Sequence, residues 1–284
     1  MAKPPSDIAK WQKNILRNHT ISQREQWLDG TNNNLTDREK VTKAMVRKAI
    51  NLDISPRCTL ACPRCRRQEY IEAGIPIPGH DLSITDFTKI LKHFRRILFC
   101  GQISDPTIHP KFHEFLELSA LPIYSCPHIT VATAASHRPI SWYKKAFELN
   151  PKAMWRFGVD GLPEESCLYR INQDGEKLFE VMKMGVSMGI SVEWQYIVFN
   201  YNENHVEQAK KMAYDNNISF MTMYSSRWKG EEDPYQPTNR EDYISNKYFS
   251  SSNYNKRNKR NKLENSFYAE EVWLNSSSLG PWAW

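Results

Sequence analysis

The sequence predicts an α/β fold: a parallel sheet wound as a partial (β/α)6 barrel of the TIM type, with a helical N-terminal extension and an irregular C-terminal tail. Two observations carry this. Between residues 49 and 225, short apolar runs alternate with amphipathic stretches about six times. Strands that alternate with helices pair in parallel through right-handed crossovers, which both an open sheet and a barrel satisfy. Six such units are too few to close an eight-unit barrel, so a partial barrel is expected.

The elements follow in order. Residues 1–48 form the extension: Trp11, Ile15 and Leu16, then Val41, Met45 and Val46, recur at helical spacing. A turn interrupts them from Asp29 to Asn34, and Thr36 with Glu39 fits a capping box for the second helix. Ala49 to Ile54 reads as the first strand. Ile84 to Phe94 reads as a helix, with Phe87, Ile90, Leu91 and Phe94 on one face. The remaining strands are expected at Arg96–Cys100, His128–Thr133, Ala153–Val159, Ser191–Phe199 and Ile218–Met223. Helices are expected between them at Phe112–Leu118, Ser141–Leu149, Lys177–Met188 and His205–Asn216. Residues 226–284 form the tail, polar and loop-like over 229–265. It ends in Phe267, Tyr268, Val272, Trp273, Leu274, Trp282 and Trp284, aromatics expected to dock on the barrel or a partner.

Bulk properties narrow the class. The 284 residues are 40% hydrophobic and 25% charged, an ordinary globular balance. No run reaches the ~18 apolar residues of a membrane helix. The first residues carry no apolar segment of a secretory signal, so a cytoplasmic protein without membrane contact is expected. The net charge is +6, and part of the excess lies in the run from Lys256 to Lys262. Such a run reads as a solvated segment or as a patch for nucleic acid. Of six cysteines, Cys58, Cys62 and Cys65 fall within eight residues. A disulfide scaffold would be shorter and denser in cysteine, so clustered thiols point to metal or chemistry.

The spacing is C-x3-C-x2-C, starting four residues after the strand that ends at Ile54. In barrel folds the loop after a strand lies on the catalytic face. Thiolates bind soft metals and iron–sulfur clusters. Three protein ligands leave one iron of a cubane open, as catalytic zinc keeps an open position. Structural zinc is the alternative, and it requires a fourth ligand such as Cys100 or His80.

The stretch from Asn51 to Cys65 resembles the opening of a radical S-adenosylmethionine (SAM) domain, a family built on a partial (β/α)6 barrel. In that family an aromatic residue commonly precedes the last cysteine; here it is Arg64. The segment Phe99-Cys100-Gly101-Gln102-Ile103-Ser104-Asp105-Pro106 resembles the family's Gly-Gly-Glu-Pro element, with Asp105-Pro106 in the place of Glu-Pro and Gly101 as its one glycine. Thr133 stands where the family often has Thr-Asn-Gly, without the Asn and Gly. Phe157-Gly158-Val159-Asp160-Gly161 resembles the S-x-D-G turn of peptide-modifying members, followed by Arg170 in the family's arginine segment.

The resemblance covers about residues 49–225 and is greatest to small members related to the SPASM group. No cysteine follows Cys167, so the auxiliary-cluster module of that group is not expected. The resemblance implies a [4Fe–4S] cluster on Cys58, Cys62 and Cys65, with SAM held by Gly101, Asp105, Pro106, Thr133 and Arg170. It also implies an electron donor such as flavodoxin or ferredoxin, and a hydrogen abstraction from substrate, with peptide or protein favoured over RNA or a nucleotide. Cys100, Cys126 and Cys167 are candidate radical donors, and a non-catalytic zinc or iron–sulfur module with a decayed SAM site is the remaining alternative.

Overall fold

The computed structural model describes residues 49–242, apart from Gln102 and residues 125–127, 224–227, 229–231 and 240–241. The helical extension, the basic run, the aromatic tail and Cys126 lie outside the described residues.

Six strands form one sheet: β1 (Ala49–Leu52), β2 (Arg96–Cys100), β3 (His128–Thr133), β4 (Met154–Gly158), β5 (Val192–Ile197) and β6 (Ser219–Met223). Each pairs in parallel with the next, in the order β1-β2-β3-β4-β5-β6. Every new strand therefore joins the same edge, so right-handed crossovers put all the connecting helices on one face. That single winding is what makes the sheet a partial barrel. The helices are α1 (Arg66–Glu72), α2 (Ile84–His93), α3 (Phe112–Ala120), α4 (Ile140–Leu149), α5 (Gly175–Ser187) and α6 (Val206–Asp215). No helix among the described residues is long and apolar enough to cross a membrane.

Five of the helices lie where the spacing of apolar residues predicts them. The sixth, α1, spans seven residues and buries only Tyr70, too short a stripe for periodicity to reveal. Local chemistry sets two starts. Ser83 caps α2 by accepting from the Asp86 amide, and Asp174 caps α5 by accepting from the Lys177 amide. The second cap begins α5 at Gly175, two residues before the expected Lys177.

The strand pleat sorts side chains between two environments. Ile97 and Phe99 of β2 and Ile129 and Val131 of β3 face the helices and are buried. They join a core of aromatic rings: Phe87 lies 4.5 Å from Phe115, and Trp155 meets Phe147 edge-on at 5.1 Å. Each such ring stabilises the fold by about 1.5–3 kcal/mol through burial, and edge-to-face pairs add about 0.5–1.5 kcal/mol. The opposite face is more polar. Register aligns Cys100, Ala132, Arg156 and Glu193 across β2 to β5, so they share the concave side. There Arg156 pairs with Glu193 at 3.0 Å.

Phe99 touches both Phe87 and Phe112, at 5.6 and 5.3 Å between ring centroids. Phe99→Ala is expected to lower unfolding free energy by about 3–5 kcal/mol in a denaturant titration, with the cysteine loop losing order only as the barrel unfolds.

Candidate functional site

The C-terminal ends of the strands gather every residue singled out in the cysteine loop and in the segments after β2, β3 and β4. Their positions follow from a few buried polar groups. Asp53, just past β1, accepts from the Ile103 amide at 3.2 Å and from the Ser104 hydroxyl. It ties the loop after β1 to the loop after β2. Gly101 allows that second loop to fold back on itself: a Cβ there would lie 1.9 Å from the Ser104 carbonyl oxygen. The Asp105 amide then donates to the Arg57 carbonyl at 3.0 Å, one residue ahead of Cys58.

Asp105 is 4% exposed, and five donors converge on its carboxylate. These are the Thr107 amide (3.0 Å) and hydroxyl (2.6 Å), the Thr133 hydroxyl (2.8 Å), and the Ala134 and Ala135 amides (2.9 and 3.0 Å). It caps the 3-10 turn Pro106–Ile108, where Pro106 takes the first position, and it satisfies the free amides at the end of β3. The structure thus brings Asp105, Pro106 and Thr133 together beside Cys58.

The cysteine loop itself is pinned from both sides. Ala61 donates to the Ile171 carbonyl at 3.1 Å, and the Asn172 side chain donates to the Thr59 carbonyl at 3.2 Å. Cys62 is buried, and Cys58 and Cys65 are half-buried. All three pack in one small cluster with Leu60, Ala134, Tyr169, Phe199 and Trp228. Burial pushes the Cys58 thiol up to about 12, and the nearby Asp105 charge pushes the same way, while the Leu60 amide opposes them. Ionised Cys62 and Cys65 would raise it further, so the three thiols are electrostatic neighbours. Among the described residues, no three His, Cys, Asp or Glu side chains converge tightly enough to hold a single ion, and neither Cys100 nor His80 completes such a group. A cubane asks for something different. Each thiolate would take its own iron, and the three thiols of this packed group match it in number and softness.

A second buried centre lies across the mouth. Asp160 accepts from the Ile197 amide at 2.8 Å and pairs with Arg170 Nε at 2.8 Å, although that contact is not aligned as a hydrogen bond. Burial opposes the charge on Arg170, but Asp160 outweighs it, and Cys62 adds to the effect; the guanidinium is held above its ordinary value. Gly158 lets the guanidinium lie flat on the end of β4, since a Cβ there would sit 2.9 Å from Nη2. Gln173 donates to the Ala134 and Gly158 carbonyls at 2.6 and 2.9 Å, joining the ends of β3 and β4. Its Oε1 is buried without a hydrogen-bond partner among the described residues. Arg170 and Gln173 thus place a cation and an unpaired acceptor three residues apart, beside the ends of β3 and β4.

Arg64, the departure from an aromatic residue, has a partner far along the chain. It contacts Asp233 at 3.0 Å through Nε and 2.9 Å through Nη2, and the Asp233 side chain is fully buried. Tyr235 lies under the guanidinium at 5.9 Å and edge-on to Tyr169 at 5.2 Å. The chain after β6 thus returns across the cysteine loop. Gln173, Trp228 and Asp233 lie outside every sequence motif, and Asp53 falls within the Asn51–Cys65 stretch without a role assigned to it. Of the candidate radical donors, Cys100 lies on the concave side of the sheet, whereas Cys167 is exposed on the loop after β4.

These environments predict a labelling order in the metal-free protein. At pH 8, with a thiol pKa of about 12, only on the order of one Cys58 in ten thousand is thiolate. Iodoacetamide should modify Cys167 first and Cys58 at least tenfold more slowly, as read by peptide mass spectrometry. Reaction at Cys58 should rise about tenfold per pH unit while the fold persists, and in urea the difference should vanish.

No protein-family model and no curated protein matches the sequence. Solved structures do share the fold. The structure of anSMEcpe with bound AdoMet superposes with a TM-score of 0.50 at 16% identity, over 65% of this chain and 52% of that one. Streptococcus suis SuiB superposes with a TM-score of 0.51 at 13% identity, over 84% of this chain and 57% of that one. Both are radical SAM enzymes, and the match spans little more than half of each. The partial barrel described above is their fold.

Proposed function

We propose that this chain is a radical SAM enzyme, in which Cys58, Cys62 and Cys65 hold a [4Fe–4S] cluster and the mouth of the barrel binds SAM. One observation carries the reading. The C-x3-C-x2-C loop leaves the first strand of a six-stranded parallel partial barrel, and its three thiols share one cluster of side chains at the C-terminal end of the sheet. When bound, such a cluster would supply the electron for reductive cleavage of SAM, the chemistry that would let the site remove hydrogen from a substrate.

The protein's own contribution is placement and exclusion. Three thiolates leave the fourth iron for SAM. Arg170, oriented by Asp160, keeps its Nη groups for a carboxylate. Gly101 allows the loop after β2 to close on Ser104, and this segment would receive the ammonium of SAM. Asp105 adds negative charge nearby, but its five protein donors make it chiefly the organiser of Thr133 and the cysteine loop. Pro106 stiffens the same turn. Leu60, Tyr169, Phe199 and Trp228 keep water from the reacting centre. A small electron-transfer protein such as flavodoxin or ferredoxin supplies the electron. A peptide or protein is the substrate we favour, because the turn from Gly158 to Gly161 resembles that of peptide-modifying members.

The test is anaerobic reconstitution with iron and sulfide, followed by dithionite and SAM. Wild-type protein should form 5′-deoxyadenosine, and Cys62→Ala should form none. Binding of zinc alone, with no cluster assembled, would replace this reading with a metal-bearing module. Arg170→Lys keeps the charge and loses the planar fork. It should weaken SAM binding about tenfold in equilibrium dialysis, roughly 1.4 kcal/mol.

A further inference from the structure

We infer that Trp228 is a positioning residue of the cluster site, its indole N–H donating a hydrogen bond to a sulfur of the cluster held by Cys58, Cys62 and Cys65. The inference rests on the cluster reading above. Trp228 is 5% exposed and belongs to the same small group of packed side chains as the three cysteines. Its Nε1 is sealed from solvent and has no hydrogen-bond partner among the described residues. Leaving a buried donor unpaired costs about 1–3 kcal/mol, so the fold retains it against its own stability.

Trp194, equally buried, donates its Nε1 to the Val159 carbonyl at 2.8 Å. Trp155 also lacks an acceptor, but it is enclosed by aromatic rings, with Phe147 at 5.1 Å and Phe157 at 5.9 Å, and ring faces accept an N–H weakly. Trp228 differs from both because the packed group it belongs to includes three sulfurs that would gain charge. A neutral thiol is a weak acceptor, whereas a metal-bound thiolate or sulfide is anionic and a strong one. The missing partner is therefore created when the cluster is loaded.

Residues just past Trp228 pack on the cysteine loop and its neighbour Tyr169. Asp233 clamps Arg64, the residue directly before Cys65, and Tyr235 closes the same strap against Tyr169. An N–H donated to a cluster sulfur stabilises the more negative, reduced state, so it raises the reduction potential.

The experiment compares reconstituted wild-type protein with Trp228→Phe, which keeps an aromatic ring and deletes the N–H. In a potentiometric titration followed by EPR, the variant's midpoint should fall by about 59 mV, a tenfold shift of the one-electron equilibrium. An unchanged midpoint with an intact cluster overturns the proposal. Should Trp228→Phe fail to fold, wild-type protein carrying 15N-indole tryptophan gives a second readout. Pulsed EPR of the reduced cluster should show a 15N coupling, and its absence overturns the proposal. If wild-type protein assembles no cluster, the cluster reading itself has failed, an outcome distinct from all of these.

Discussion

The buried carboxylate of Asp105 organises the mouth of this barrel. Three backbone amides and two threonine hydroxyls would otherwise end in a low-dielectric pocket without acceptors. By accepting all of them, Asp105 fixes the end of β3, the 3-10 turn after β2 and the side chains of Thr107 and Thr133 in one arrangement. Its own amide reaches the Arg57 carbonyl, so the same residue also sets where Cys58 enters the site. Asp53 repeats the device one step away, joining the β1 and β2 loops through Ile103 and Ser104. Three segments distant in sequence therefore share one geometry because two aspartates satisfy their donors.

Stability and chemistry are kept in different places. The helix-side core is almost wholly apolar, built from rings such as Phe87, Phe115, Trp155 and Trp194. The mouth holds charged groups instead: Asp105, the Asp160–Arg170 pair and the Arg64–Asp233 pair, each with at least one member fully buried or nearly so. Buried ion pairs contribute little net stability, because desolvation offsets their attraction. Their concentration at the strand ends, away from the main core, is better explained by what they hold in place. Arg170 lies within electrostatic reach of Cys62, and Asp105 within reach of Cys58, so both charged centres border the thiols.

The strap after β6 shows how a small chain closes its site. A loop rich in polar residues has little reason to pack on its own. Here Asp233 finds Arg64, Tyr235 finds Tyr169, and Thr238 donates its amide and hydroxyl to Glu203. Arginine at position 64 is explained by this contact: a guanidinium reaches across to Asp233, which an aromatic side chain in the cysteine loop would not do.

The sequence by itself determined the alternation of strands and helices, the parallel winding and the cysteine loop, because these depend on short-range periodicity and spacing. Among the described residues, periodicity missed α1, an element too short to print a pattern, with its single buried Tyr70. Spacing likewise identified Cys58, Cys62 and Cys65, and local order pointed to Gly101, Asp105, Pro106, Thr133 and Arg170. The tertiary structure alone decided how those groups are used. That Asp105 spends its carboxylate on five protein donors, that Asp160 orients Arg170, and that Gln173, Trp228 and Asp233 belong to the same site are facts of contact between residues up to 169 positions apart. No local pattern encodes such contacts, because the partner of a buried polar group is chosen by where the folded chain leaves an unmet donor or acceptor.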